Sequence, residues 1–305
     1  MRKNIFDRIQ ELGHNTENEM DKIYKIFKEK CFQFNANNTA MSTTLEEAVD
    51  VFQLHLWKQR RTATTLHELK TLLGILQTEN KIAYPSENKM LNLDEVIIYL
   101  EYILNIVMLA FEVRSRIHVE QKFCKYYVRL EESGVLMLLE NIDILLDNMN
   151  YQRKTNDKEE RVIIVEKNAA VTAVSEIVDD ELFWPTIEYN HHLLRDNVER
   201  KREILLKFAD KIEPLREELR GLHKNTETNL FFLFNSLNIR HNNSDSTNRK
   251  HYIEYVANLS SKQLEEWYDE TYQLVLYSFL LLDNSSRIKR VDELKKTIEQ
   301  AKGKS

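Results

Sequence analysis

Thr226-Glu-Thr-Asn-Leu-Phe-Phe-Leu-Phe-Asn-Ser-Leu-Asn-Ile-Arg-His-Asn-Asn243 decides how this chain is read. Leu230, Leu233, Phe234 and Leu237 recur at helical spacing, so the stretch is a helix with an aromatic-rich buried face. It runs straight into Asn238, Arg240, His241, Asn242 and Asn243, five polar donors and acceptors within six residues. An apolar helix that ends in such a cluster aims those groups at one place.

The neighbouring segments have the same helical character. Upstream, Leu194, Val198, Lys201, Leu205, Phe208, Ile212, Leu215, Leu219 and Leu222 alternate spacings of four and three, broken once by a lysine. That near-heptad calls for a long helix packed almost parallel or antiparallel to a neighbour. Pro214 lies inside it and must kink or restart it, because proline has no N–H to donate. Downstream, a polar loop from Asn242 to Asn248 precedes Ser260 and Gln263, a capping box in which each side chain satisfies an orphan backbone donor. The last long helix then shows Leu264, Trp267, Thr271, Val275 and Phe279 on one face.

Composition extends the helical reading to the whole chain of 305 residues. Only 5 Gly and 3 Pro occur, too few for a loop-rich barrel or a doubly wound sheet with tight turns. The expected fold class is therefore all-α, mainly helical bundle, with one small β-hairpin. In the N-terminal half, Met20, Ile23, Tyr24, Phe27 and Cys31 form a helical stripe that an Asn-rich loop, Asn35 to Thr39, interrupts. Thr43 with Glu46 and Asn92 with Glu95 are two further capping boxes. The second opens the most apolar helix, Val96 to about Ile117. Glu101 and Asn105 break its apolar run below the length of a bilayer span, so it reads as a core helix. A further helix places Val135, Leu138, Leu139, Ile142, Leu145 and Met149 inward.

One window departs from the helical period. Arg161-Val-Ile-Ile-Val165 and Val171 to Val178 are rich in β-branched residues and flank Lys167 to Ala170, which reads as a hairpin. The polar run Gln152 to Glu160 before it reads as a linker. The expected division is an N-terminal helical region, 1–152, a linker and hairpin, 153–179, and a C-terminal helical domain, 180–305.

Net charge −6 provides no global field to hold a polyanion, so any contact with nucleic acid must be local. Cys31 and Cys124 are the only cysteines and form no CxxC, which leaves no disulfide framework or zinc knuckle. The first 30 residues lack an apolar signal core, and the expected location is the cytoplasm, away from membrane. Two Glu-x-x-His pairs, Glu11–His14 and Glu188–His191, invite a di-metal bundle, which needs such a pair on each of two helices. Gly13 makes the first a poor ligand helix, and His192 with Asp196 lacks a third ligand, so neither metal nor cofactor is expected. Trp57 beside Lys58, Arg60 and Arg61 forms a small basic patch that a helix C-terminus also favours.

Arg240 and His241 remain the candidate site. A guanidinium beside an imidazole can bind a phosphate and move a proton near neutral pH. The competing role for the same residues is to cap the helix by satisfying its terminal carbonyls. The run Phe234-Asn-Ser-Leu-Asn-Ile-Arg-His-Asn-Asn243 resembles the motif region of HEPN-like helical domains of prokaryotic abortive-infection and antiphage type. The resemblance extends over about 180–283, with Glu213-Pro214 and the closing Glu266-Trp-Tyr-Asp-Glu-Thr-Tyr-Gln273. It implies an up-and-down bundle, a homodimer with facing motifs, and metal-independent endoribonuclease chemistry. Arg240 and His241 would be catalytic, and Asn235, Asn238 and Asn242 would form the surrounding binding pocket.

Active members place a histidine after four to six residues beyond the arginine. Here positions 245 to 247 are Asp, Ser and Thr, and the next histidine, His251, lies farther along. Two functions stay open on this sequence. One is a defence protein that binds or cleaves RNA; the other is a non-catalytic helical module for dimerisation or for a partner protein.

Overall fold

Periodic apolar residues become helices and two small patches of sheet in a computed structural model that describes residues 16–36, 39–52, 65–83, 91–120, 128–156, 161–247 and 249–302. The basic patch at residues 57–61 and the Glu11–His14 pair lie outside those residues. The chain divides into two compact units, Met1–Glu166 and Lys167–Ser305.

In the first unit the elements are α1 (Thr16–Phe27), β1 (Phe32–Ala36), β2 (Thr39–Thr43), α2 (Leu45–Phe52), α3 (Leu66–Leu72), α4 (Ile75–Ala83), α5 (Leu93–Glu120), β3 (Val128–Leu130), α6 (Glu132–Asn148), β4 (Tyr151–Asn156) and β5 (Arg161–Glu166). The stripe on α1 buries Met20, Ile23 and Phe27, but the helix stops there, before Cys31. Of the Asn-rich interruption after it, Asn35 and Ala36 end β1 and Thr39 begins β2; β1 pairs antiparallel with β2 on one side and β3 on the other.

The unit's centre is α5, which opens on the expected box, with Asn92 N–H donating to Glu95 (2.9 Å) and Glu95 N–H to Asn92 (2.9 Å). It is long and apolar enough to cross a membrane, yet most of its apolar window is buried, as befits a core helix. The other expected box is displaced by one residue. Thr44 and Glu47 form it, while Glu46 turns inward. There burial pushes the Glu46 carboxyl up, but hydrogen bonds from Lys28, Lys70 and Tyr102 override it and hold the group at about 2.

The hairpin exists with a different partner from the one expected. β5 pairs antiparallel with β4, so the polar run first read as a linker supplies the second strand. Residues 169–175 are a helix instead of the returning strand, because Asn168 caps it, its side chain accepting from the N–H of Ala170 (2.9 Å) and Val171 (3.2 Å). A two-stranded hairpin is marginal in water, and α5 anchors this one. Asn105 accepts from Val162 N–H (3.1 Å) and donates to Val162 C=O (2.8 Å), while Glu101 accepts from Ile164 N–H (3.0 Å). The two polar residues that break the apolar run of α5 thus satisfy the free edge of β5.

In the second unit the elements are α7 (Ala169–Ser175), α8 (Asp180–Glu188), a 3-10 turn (His192–Leu194), α9 (Val198–Ile212), a 3-10 turn (Glu213–Leu215), α10 (Arg216–Leu222), α11 (Lys224–Ser236), α12 (Glu254–Ala257) and α13 (Ser261–Lys302). Pro214 restarts the near-heptad helix as expected, splitting it into α9 and α10. Phe208, Phe231, Phe234, Tyr268 and Tyr272 fill the core, with α13 packed against α7, α9, α10 and α11. Tyr189 stacks on Tyr272 with ring centroids 3.9 Å apart. Beyond Ser285 every described residue of α13 is exposed, so the helix runs on past its core contacts.

Candidate functional site at the end of α11

The geometry starts from how α11 stops. Leu237 closes the helix, its carbonyl accepting from Tyr268 Oη (3.0 Å). Asn238 takes φ 60°, the left-handed region that asparagine tolerates better than most side chains. This reversal lets Arg240 N–H donate back to Phe234 C=O (3.0 Å), satisfying a terminal carbonyl, while Arg202 donates to Asn238 C=O.

Asn238 then closes the loop. Its Oδ1 accepts from the N–H groups of Asn243 (2.6 Å) and Ser244 (2.9 Å), and its own N–H donates to Asn243 Oδ1 (3.0 Å). Asn243, buried, carries the clamp onward: its Nδ2 donates to His251 C=O (2.8 Å) and its C=O accepts from Ile253 N–H (2.8 Å). By holding that carbonyl, Asn243 brings His251 back over the helix end. The rings of His241 and His251 stack 4.2 Å apart at an interplanar angle of 15°. Burial lowers the His241 pKa, and the neighbouring His251, Arg240 and Lys250 lower it further. The His241 imidazole is therefore biased toward its neutral, proton-accepting form.

Arg240 forms an ion pair with Glu213 from the 3-10 turn at the end of α9, and its guanidinium lies 5.9 Å from the Phe231 ring centre. The Glu213-Pro214 element and the arginine thus meet in space.

The five expected site residues do not share one pocket. Asn238 works on the backbone of the loop: its side chain accepts from loop N–H groups, and the terminal carbonyl of Phe234 is met by the Arg240 backbone N–H instead. Arg240 and His241 are half-buried side chains at the corner the loop creates. Asn242 is exposed and accepts from Ser244 Oγ (3.2 Å). Asn235 lines a cleft along α10 and α11. Sequence reasoning missed Asn243 as the loop's keystone and set His251 aside on spacing alone; no periodic signal links residues 241 and 251 across an irregular loop. Elsewhere, Glu188, half of one metal-like pair, accepts from Arg200 at 3.2 and 2.9 Å.

Compared with known proteins, the chain matches no family profile, no curated protein and no solved structure.

Proposed function

We propose that this is a cytoplasmic, HEPN-like antiphage protein that binds RNA at the corner of Arg240, His241 and His251 and cleaves it without a metal. The observation that carries the reading is the stacked pair of imidazoles beside an arginine. Burial, together with the His251 ring stacked on it and the nearby Arg240 and Lys250, favours the neutral, proton-accepting form of His241, with a second imidazole in contact to serve as its acid partner. That is the state needed for general acid–base catalysis. The neutral ring takes the proton of a ribose 2′-hydroxyl, whose oxygen attacks the adjacent phosphorus. The 5′-oxygen leaves and takes the proton of the charged ring, giving a 2′,3′-cyclic phosphate and a 5′-hydroxyl. Arg240 neutralises the phosphate, its planar fork matching two oxygens.

The test is incubation of end-labelled single-stranded RNA with the protein in excess chelator, followed by analysis of the termini. Cyclic-phosphate ends that vanish with His241→Ala and with His251→Ala, and fall with Arg240→Lys, support the reading. Cyclic-phosphate ends that persist with all three substitutions, or RNA that stays intact with wild type, contradict it.

The second reading is a homodimerisation module, and a specific feature favours it. Ile288, Val291, Leu294 and Ile298 lie exposed at spacings of three and four along the free length of α13. An apolar stripe on an unsupported helix is what a second helix covers. Dimer formation together with unchanged RNA after prolonged incubation would favour this module over the nuclease.

A further inference from the structure

The wall of α10 and α11 holds a cleft of about 610 Å³, within the range of small-molecule sites. Arg216, Arg220, Lys224, Phe231, Phe232 and Asn235 line it. Its chemistry follows from Glu227, which is buried at the base with 1% exposure. Arg220 reaches its carboxylate through Nε (3.2 Å) and Nη2 (2.9 Å), and Arg216 through Nε (2.6 Å). One carboxylate therefore fixes two guanidiniums on the wall, and three cations face one anion in a chain whose net charge is −6.

The donors are not all spent. Arg220 also donates to Glu217 (2.7 Å), but among the described residues Arg216 bonds Glu227 through Nε alone, and its guanidinium carbon lies 4.2 Å from the Phe231 ring centre. Lys224 stands exposed at the start of α11 with no ion pair among the described residues. Next to these cations, Phe232 is 64% exposed, an apolar ring left in water on a charged wall. Half-buried Asn235 adds an amide that both donates and accepts.

We propose that this cleft binds a nucleotide unit, with its phosphate on Arg216 and Lys224 and its base stacked on Phe232 within reach of Asn235. The combination selects the ligand class. An inorganic anion or an acidic peptide would use the cations and leave Phe232 wet, whereas a nucleotide covers both, because every base has a π-face. The proposal deepens the RNA reading and rests on it for the polymer, placing one nucleotide of the bound strand along α10 and α11. A free nucleotide presents the same chemistry, and the experiment separates the two sources.

The probe is fluorescein-labelled decaadenylate, followed by anisotropy with the full-length protein, with AMP and inorganic phosphate as competitors. Variants are Phe232→Ala, Lys224→Glu and Arg240→Ala; Phe232 and Lys224 are exposed, so their replacement leaves the core intact. The expected result is that Phe232→Ala and Lys224→Glu each weaken decaadenylate binding by about fivefold or more, and that AMP competes better than phosphate. If both variants bind like wild type while Arg240→Ala abolishes binding, the cleft proposal is overturned and the corner stands. Phosphate competing as well as AMP also overturns it, since no base is then recognised. AMP binding that is lost in Phe232→Ala, without decaadenylate binding, supports the cleft as a nucleotide site and removes the RNA reading of the corner.

Discussion

Lys201 interrupts an otherwise apolar row, and its surroundings explain why a charge is tolerated there. Its side chain is 7% exposed, and its Nζ lies 2.7 Å from both Glu265 and Asp269 of α13, over the Tyr189 ring. A buried lysine with two carboxylates costs little as a unit, but removing one side exposes the rest. Glu227 makes the same point at the base of the cleft. Hydrogen bonds from Arg220 outweigh burial and, with Arg216, hold its carboxyl down to about 2. A depressed carboxyl stabilises the fold above its unfolded pKa and loses that contribution as pH falls toward the folded value. Stability should thus decline between roughly pH 4.5 and 2 in part through Glu227. Glu227→Gln should flatten that slope while lowering stability at neutral pH by about 1–3 kcal/mol, less than for a wholly buried pair because both arginines are partly exposed. Denaturant titrations at a series of pH values check both effects. His241 carries the same sign. Its lowered pKa means the unfolded chain binds the proton more readily, so the fold loses stability as pH drops below about 6.5. His241→Gln should remove part of that loss, and a melting curve with the same pH dependence as wild type would refute it.

At the level of elements, the sequence disclosed what repeats and hid what does not. Helices α1, α5, α6, α9, α11 and α13 follow apolar spacing, and the restart at Pro214 follows from proline's missing donor. β5 was legible from its β-branched run, but β4 was not. Tyr-Gln-Arg-Lys-Thr-Asn has the composition of a linker, and it becomes strand because it meets the backbone of β5 residue for residue. Val171 to Ser175 misled in the opposite sense: β-branching is a weak preference, and the Asn168 cap with burial of Val171 and Val174 overrides it. At the candidate site, Arg240 and His241 could be read directly, whereas His251 could not, since Asn243 positions it through an irregular loop. Asn105 offers a test of how the hairpin is anchored. Asn105→Leu fills the same space but orphans both the N–H and C=O of Val162, and should cost about 2–4 kcal/mol. Faster amide exchange at Val162 would accompany it. Wild-type stability would show that water or the backbone replaces the asparagine.

The whole chain comprises two compact units, and the long last helix of the second ends in a stretch exposed among the described residues. If that stretch joins two copies, Leu294→Lys with Ile298→Lys should convert a dimer to a monomer in light scattering while leaving the melting temperature of the body unchanged, because neither side chain touches the core. A wild-type chain that is monomeric at tens of micromolar, roughly the concentration at which ordinary dimers persist, contradicts the dimer. Acid–base catalysis at the corner where Arg240, His241 and His251 meet would leave its signature in the pH dependence of RNA cleavage. With one imidazole accepting a proton and its partner donating one, the rate in chelator should pass through a bell-shaped maximum. Removing either histidine should abolish one limb of the bell together with most of the rate. RNA left intact by wild type across that range, or cleavage with the same profile after both histidines are replaced, would contradict catalysis at this corner.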